Sequence, residues 1–303
     1  MLLVVCPNLA IDRILQVDNL TPSVVQRSRQ AVVQPGGKGS NVARVFRQLG
    51  GDVVLVGFVG SSNGRYVVEP LRRAGIHADA VEAYEETRTC TIICAARPGS
   101  HPTVINEESP QVEPAAVAAL LKKVERWIRE ADGVLTTGSL SIGAPAELYA
   151  GILDRARSRG KTTAIDATGV ALRTGLLVRP TFMKPNTAEM RELFEASTVS
   201  LLATHTALTF GKTGAMVLHE GRCLYAPPPR IFTANPVGAG DAFSAGYLKS
   251  LLERRPVVEC LRLALAAAAS DAGTLRPGWI DVSQVATLGA EVEPRFTPIP
   301  SAQ

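Results

Sequence analysis

No C-x-x-C pair occurs among the five cysteines, Cys6, Cys90, Cys94, Cys223 and Cys260. An odd number of thiols in a chain of 303 residues argues against a disulfide framework and a structural metal, and a reducing, cytoplasmic compartment is expected. Cys90 and Cys94 share parity on an expected strand, so a common buried face explains them more simply than ligation does. No run of five or more basic residues is present, and the net charge of +4 is small and dispersed, which argues against nucleic acid and leaves small anionic substrates open. No apolar run is long enough to span a bilayer, since residues 261–269 contain Arg262 and are followed by Ser270 and Asp271. Residues 1–6 are apolar but short, lack a basic start and run into Pro7 and Asn8, so no signal peptide is expected. Internal repeats and low-complexity linkers are missing too; residues 227–229 and the tail after Glu293 look irregular. With 46% hydrophobic and 20% charged residues, what remains is a globular chain able to bury one large core.

β-rich runs alternate with helical patterns along most of the length. Strands are expected at 53–57, 133–137, 162–166, 182–184 and 206–210, and helices at about 39–49, 115–130, 145–159 and 187–195. Such alternation predicts a mostly parallel sheet between helical layers. Residues 9–33 and 83–104 break the rhythm with short alternating β-branched runs and no helix between them. Paired in space they would make a small sheet, a lid over the ends of the main strands; a plain hairpin decorating the core explains the same pattern.

The most informative segment is Asn235-Pro-Val-Gly-Ala-Gly-Asp-Ala-Phe-Ser-Ala-Gly-Tyr247. Gly238 and Gly240 permit close backbone approach, and Asp241 opens a run (Ala242, Phe243, Ala245, Tyr247, Leu248, Leu251) spaced like one face of a helix. The free N–H groups and positive dipole end of that helix suit a phosphate, and Asp241 is placed to take a proton from a hydroxyl attacking it. The ordinary alternative is that Asp241 caps the helix and the glycines make a turn. A second glycine-rich turn, Pro35-Gly-Gly-Lys-Gly-Ser-Asn41, leads into another helix; it is not a Walker A loop, and its ordinary role would be a tight turn with Lys38 solvated. Gly211-Lys-Thr213 imitates the end of such a loop, but Thr206 stands where the earlier glycine is required. Asn186 and Glu189 lie three residues apart, on one face of a helix start, where oxygen ligands can hold the waters of a magnesium ion while Lys184 reaches a phosphate. Glu189 could equally be a favourable first-turn charge.

Taken in order, these motifs resemble the ribokinase-like (PfkB) carbohydrate kinases, and within them the branch containing 1-phosphofructokinase, tagatose-6-phosphate kinase and the minor 6-phosphofructokinase. The similarity runs from Asn8-Leu-Ala-Ile-Asp12 through Gly36-Gly-Lys-Gly39 and Asn41-Val-Ala-Arg44, Thr87-Arg-Thr89, Ile105-Asn-Glu107, Gly138-Ser-Leu140, Ile165-Asp166 with Thr168-Gly169, Lys184-Pro-Asn186 with Glu189, Thr209-Phe-Gly211 with Gly214-Ala215, to Val237-Gly-Ala-Gly-Asp241. It implies a ribokinase-like three-layer α/β/α core with a mostly parallel sheet, in one α/β domain over residues 1–303, with β lid segments at about 9–34 and 83–106.

The resemblance also implies roles. Asp241 matches the catalytic base, and the amides of Gly238, Ala239 and Gly240 match the anion hole. Lys184 and Asn186 match residues at the ATP phosphates, Asn186 with Glu189 matches the motif that organises Mg2+ through water, and Thr209, Gly211 and Gly214 match a loop beside the nucleotide. Asp12, Gly37, Lys38 and Asn41 match the sugar-binding face; Arg27 and Arg88 match arginines for a phosphate already on the sugar, with Ser139 as a nearby hydroxyl contact. The expected partners are ATP, Mg2+, a small-molecule sugar phosphate and a second copy of the chain, a homodimer through the β lid with Arg27 reaching across, and neither nucleic acid nor membrane. Fructose 1-phosphate going to fructose 1,6-bisphosphate leads as the reaction, ahead of tagatose 6-phosphate and fructose 6-phosphate. A kinase for an unphosphorylated sugar or nucleoside, and a non-catalytic sugar-phosphate or nucleotide sensor, are the competing readings. The chain departs from the branch at Asn235-Pro236 where a hydroxyl residue is usual, at Phe210 for leucine, at Ser141 for proline, and at Glu107-Glu-Ser109, which lacks a glycine.

Overall fold

Strands that carry apolar residues on both faces can be buried only between two helical layers, and the chain adopts that arrangement. The computed structural model describes residues 1–96, 101–195 and 203–297. The first part of the chain forms β1 (Leu2–Asn8), β2 (Ala10–Val17), β3 (Gln30–Gly36), α1 (Lys38–Gln48), β4 (Val53–Gly60) and α2 (Arg65–Arg73). Then come β5 (His77–Ala78), β6 (Val81–Tyr84), β7 (Thr89–Ala95), β8 (Thr103–Asn106), α3 (Pro114–Glu130), β9 (Gly133–Thr137), α4 (Leu148–Arg157) and β10 (Thr162–Asp166). The remainder is α5 (Gly169–Leu176), β11 (Phe182–Met183), α6 (Thr187–Glu195), β12 (His205–Thr209), β13 (Ala215–His219), β14 (Arg222–Ala226), α7 (Ala239–Leu252), α8 (Val257–Ala272), α9 (Val282–Glu291) and β15 (Arg295–Thr297).

Among the described residues, eleven strands make one large sheet in the order β15-β14-β13-β12-β11-β10-β9-β1-β4-β5, with β6 also on β4. Pairing is parallel from β5 and β6 through to β12 and antiparallel from β12 to β15. Alternate residues of one strand serve opposite cores: Leu2 and Val4 join the cluster built with α1, α7, α8 and α9, whereas Leu3 and Val5 join the one built with α3 and α4. This is the mostly parallel α/β architecture the sequence led us to expect. No described helix is long and apolar enough to cross a membrane.

A second sheet, β3-β2-β7-β8, is small. β2 starts where β1 ends and β3 stops just before α1, so this sheet stands at the carboxyl ends of the parallel strands. Its inner face, with Ile14, Ile92, Cys94 and Val32, packs on Val237 and Leu275. Cys90 and Cys94 do share the buried face of β7.

Several expectations shift. Ala83 and Tyr84, expected in the small sheet, belong instead to β6, which pairs with β4 in the main sheet and continues its parallel edge before the chain crosses over. The helix expected from 145 begins at Leu148, after a turn that includes Pro145. The tail after Glu293 contains β15, an edge strand on β14. Helix α7 is buried almost all round rather than along one face, since it lies between the sheet, α1 and α8.

Candidate active site

Open α/β sheets place their reactive groups beyond the carboxyl ends of parallel strands, where loops and helix N-termini converge. Here the ends of β1, β10 and β11 and the starts of α1 and α7 meet. Gly238, the N-cap of α7, has φ +97°, which lets the chain turn sharply into the helix. A Cβ there would lie 2.9 Å from Asp271 Oδ2 and 2.9 Å from Pro277. The amide of Ala239 points to Pro236 O at 3.3 Å and that of Asp241 to Gly238 O at 2.9 Å. Among the described residues the amides of Gly238 and Gly240 have no partner, so two of the three expected anion-hole donors are free.

Asp241 does not cap its helix: the N-terminus of α7 has no side-chain cap, and Oδ2 of Asp241 instead accepts from Asn41 Nδ2 of α1 at 2.9 Å. Burial pushes the Asp241 carboxyl up to about 6; Lys38, Asn41 and Lys184 pull it back, and the Asp166 carboxylate adds to the rise. Lys38 donates to Asp166 Oδ1 at 2.9 Å rather than lying free in solvent. Burial alone would lower its ammonium pKa, but Asp166, Asp241 and Glu189 outweigh that and hold it above the ordinary range.

The turn before α1 is built on close approach. A Cβ on Gly36 would sit 2.0 Å from Asp12 Oδ1, so the carboxylate fits only because that residue is glycine. Asp12 accepts the amide of Gly37, and burial lifts its carboxyl to about 6 against the opposing pull of Arg44 and Arg88. Arg44, itself buried, ties this turn to the loop after α8 by donating to Pro35 O at 2.7 Å and Pro277 O at 2.6 Å.

On the other side, Lys184 follows β11, and its Nζ is 3.4 Å from Asp166 Oδ2 and 3.4 Å from where a Cβ on Gly240 would lie. Asn186 and Glu189 form a capping box: Asn186 Oδ1 accepts the amides of Ala188 and Glu189, and Glu189 Oε2 accepts the amide of Asn186 at 2.8 Å. The first-turn role is therefore realised, and Glu189 Oε1 remains for water. Thr209 bridges to Asn186 at the end of β12, and Gly211 and Gly214 bound a short 3-10 turn, not a P-loop helix.

Ser139 Oγ accepts from Asn8 Nδ2 at 2.8 Å. Arg88 reaches the same strand end, donating to Asn8 O and Glu107 O at a long 3.3 Å each and to Cys90 Sγ at 3.3 Å. Its Nε is buried without a partner. Arg27 is exposed in the β2–β3 connection and makes no hydrogen bond or ion pair with the other site residues.

The departures acquire local reasons. Asn235 is buried, donating to Leu275 O at 3.0 Å and accepting the amide of Val237 at 3.0 Å, so it braces the loop before α7. Ser141 Oγ donates to Pro7 O at 3.1 Å. Glu107 accepts the amide of Thr89 at 2.6 Å. Asn8, Arg44 and Asp166 stand within the motifs that carry the resemblance but were given no role of their own, and Ser244 was not marked for the site at all.

The sequence pattern of the pfkB family carbohydrate kinases matches residues 1–274. A tagatose-6-phosphate kinase from Staphylococcus epidermidis is 27% identical over 309 residues, covering 97% of this chain and 99% of that protein. A solved structure described as a possible 1-phosphofructokinase, from Thermotoga maritima, has a TM-score of 0.87 at 20% identity, covering 98% of this chain and 99% of that one. Phosphofructokinase-2 from Escherichia coli in complex with fructose-6-phosphate has a TM-score of 0.83 at 22% identity, covering 95% and 98%.

Proposed function

We propose that this chain, which belongs to the pfkB family of carbohydrate kinases, is a sugar-phosphate kinase that transfers the terminal phosphoryl group of ATP to a hydroxyl of a ketohexose phosphate. Fructose 1-phosphate, giving fructose 1,6-bisphosphate, is the leading acceptor; tagatose 6-phosphate, favoured by the Staphylococcus epidermidis relative, and fructose 6-phosphate follow. The observation that carries the reading is the convergence of Asp241, the unpaired Gly238 and Gly240 amides and Asn41 at the start of α7.

Asp241 accepts the proton of the attacking hydroxyl, and a carboxyl near 6 is basic enough to do so at neutral pH while remaining ionised. The free amides of α7 receive the charge that builds on the transferred group, aided by the helix dipole. Lys184 neutralises the nucleotide phosphates, and Thr209, Gly211 and Gly214 flank the nucleotide. Asp12, Gly37, Lys38 and Asn41 hold the sugar, Arg88 with Ser139 takes its existing phosphate, and the small sheet covers it as a lid that excludes water. Arg88 suits that task because its contacts are long and its Nε lacks an acceptor, a condition that a phosphate relieves.

Among the described residues no group of three or more His, Cys, Asp or Glu side chains could hold a metal. That suits magnesium, which keeps several waters and takes phosphate oxygens, with Asn186 and Glu189 Oε1 organising its waters. When bound it would neutralise charge on the phosphates.

The outer face of the small sheet exposes Val33 and Ile105, apolar side chains fit to meet a second copy, with Arg27 reaching the partner's sugar site. An ADP-release assay across sugars, sugar phosphates and nucleosides tests the reading. Turnover highest with a ketohexose phosphate is expected; turnover confined to unphosphorylated acceptors, or none at all, would overturn it.

A further inference from the structure

One buried carboxylate has no part in the chemistry above. Asp166 ends β10 and is fully buried. Its Oδ1 accepts from Lys38 Nζ at 2.9 Å, and its Oδ2 accepts from Ser244 Oγ at 2.9 Å with Lys184 Nζ 3.4 Å away. The donors come from three separate elements. Lys38 opens α1 on the sugar side, Lys184 follows β11 on the nucleotide side, and Ser244 lies one turn beyond Asp241 on α7.

Resting on the kinase reading, we infer that Asp166 is a positioning residue that fixes the ammonium groups of Lys38 and Lys184 in one frame beside Asp241 and the free amides of α7. Stability alone does not account for it, because taking a carboxylate and two ammonium groups out of water costs about as much as their attraction returns. Positioning does account for it. A lysine side chain carries about 2 kcal/mol of rotamer entropy, and anchoring both chains before the substrates arrive removes that loss from the reaction step.

The electrostatics agree. The charged groups facing Asp241 are Lys38 from α1, Asp166 from β10, Lys184 after β11 and Asp271 from α8. Lys38 and Lys184 balance Asp166 and Asp241; without Asp166 the two ammonium groups face one carboxylate, and the base weakens. Asp166 itself stays ionised: burial would raise its pKa, but Lys184 and Lys38 hold it below the usual carboxylate range.

The test compares wild type with Asp166→Asn, which keeps the shape and removes the charge. Acetylation footprinting read by mass spectrometry, with no substrate present, is expected to show Lys38 labelled several-fold faster in the variant; equal labelling overturns the inference. Because that measurement needs no turnover, a wild type with a protected Lys38 but no phosphoryl transfer would sink the kinase reading alone. In the active enzyme, kcat should fall about 100-fold, KM should rise for both substrates, and the acid limb of kcat/KM should move about one pH unit lower. A fall in kcat with both KM values and the acid limb unchanged, or a change confined to the magnesium requirement, overturns it. If Asp166→Asn does not fold, Ser244→Ala removes one donor and leaves every charge. It should lower kcat/KM about 3- to 10-fold for both substrates with an unaltered melting curve, and wild-type kinetics would again overturn the inference.

Discussion

Asp241 shows how one environment sets both reactivity and stability. Its carboxyl moves from 3.8 to about 6 chiefly because it is buried. A folded-state pKa above the unfolded one means stability that is fully present below 3.8 and lost as pH rises through about 6. Replacing Asp241 with Asn should therefore leave the fold about 1–3 kcal/mol more stable at pH 7.5, the gain shrinking toward pH 4, while turnover falls at least about 1,000-fold with ATP binding retained. Thermal melts at the two pH values and single-turnover assays measure this; a variant that still turns over refutes the role as base. Wild-type kcat/KM should fall on the acid side, with its limb near pH 6. Arg88 offers a second test at this scale. With long contacts to the carbonyl oxygens of Asn8 and Glu107 and a weak sulfur acceptor in Cys90, it contributes little to the fold. Arg88→Ala should raise KM for the sugar phosphate about 10- to 100-fold and KM for ATP less than about 2-fold. Equal effects on the two substrates would remove its assignment.

At the scale of elements, the start of α7 is the demanding piece. A left-handed N-cap at φ +97°, hemmed in by Asp271 and Pro277, admits only glycine without strain. Gly238→Ala should cost about 1–3 kcal/mol by denaturant titration and lower kcat more than either KM, since the free amides lose their alignment. An unaffected kcat would show that these amides do not serve the transition state. The start of α6 is different in kind. There Asn186 and Glu189 satisfy each other's backbone, a reciprocal cap that any Asn-x-x-Glu at a helix start can make. The same two residues can thus stabilise a helix and, through the remaining Glu189 oxygen, hold water for an ion.

Across the whole molecule, two sheets divide the labour. The large one is closed on both faces by helices; the small one covers the ends of its strands and keeps an apolar outer face. β2 and β3 place Val33 on that face, directly opposite Arg13, and β7 and β8 bring Ile105 opposite Thr91. If this face joins two copies, Val33→Asp with Ile105→Asp should convert a dimer to a monomer in sedimentation analysis and reduce activity through Arg27. A wild type that sediments as a monomer, or a variant that stays dimeric, would refute the dimer.

The sequence by itself determined the alternation of strands and helices through the middle of the chain, because period and turn residues are local properties: residues 133–137 and 187–195 are read with their observed bounds. It also marked Gly238, Asp241, Gly36 and Lys184, whose residue types carry meaning in place. What only the tertiary structure decided is who meets whom. Asn41 reaches Asp241 across 200 positions and Lys38 reaches Asp166 across 128, and no periodicity records such distances. The task of Asp166 was illegible for that reason: a single acid at a strand's end becomes a clamp only when three elements bring it their donors. Burial, which sets the Asp241 and Asp12 carboxyls near 6, is likewise a property of the packed molecule and of no residue alone.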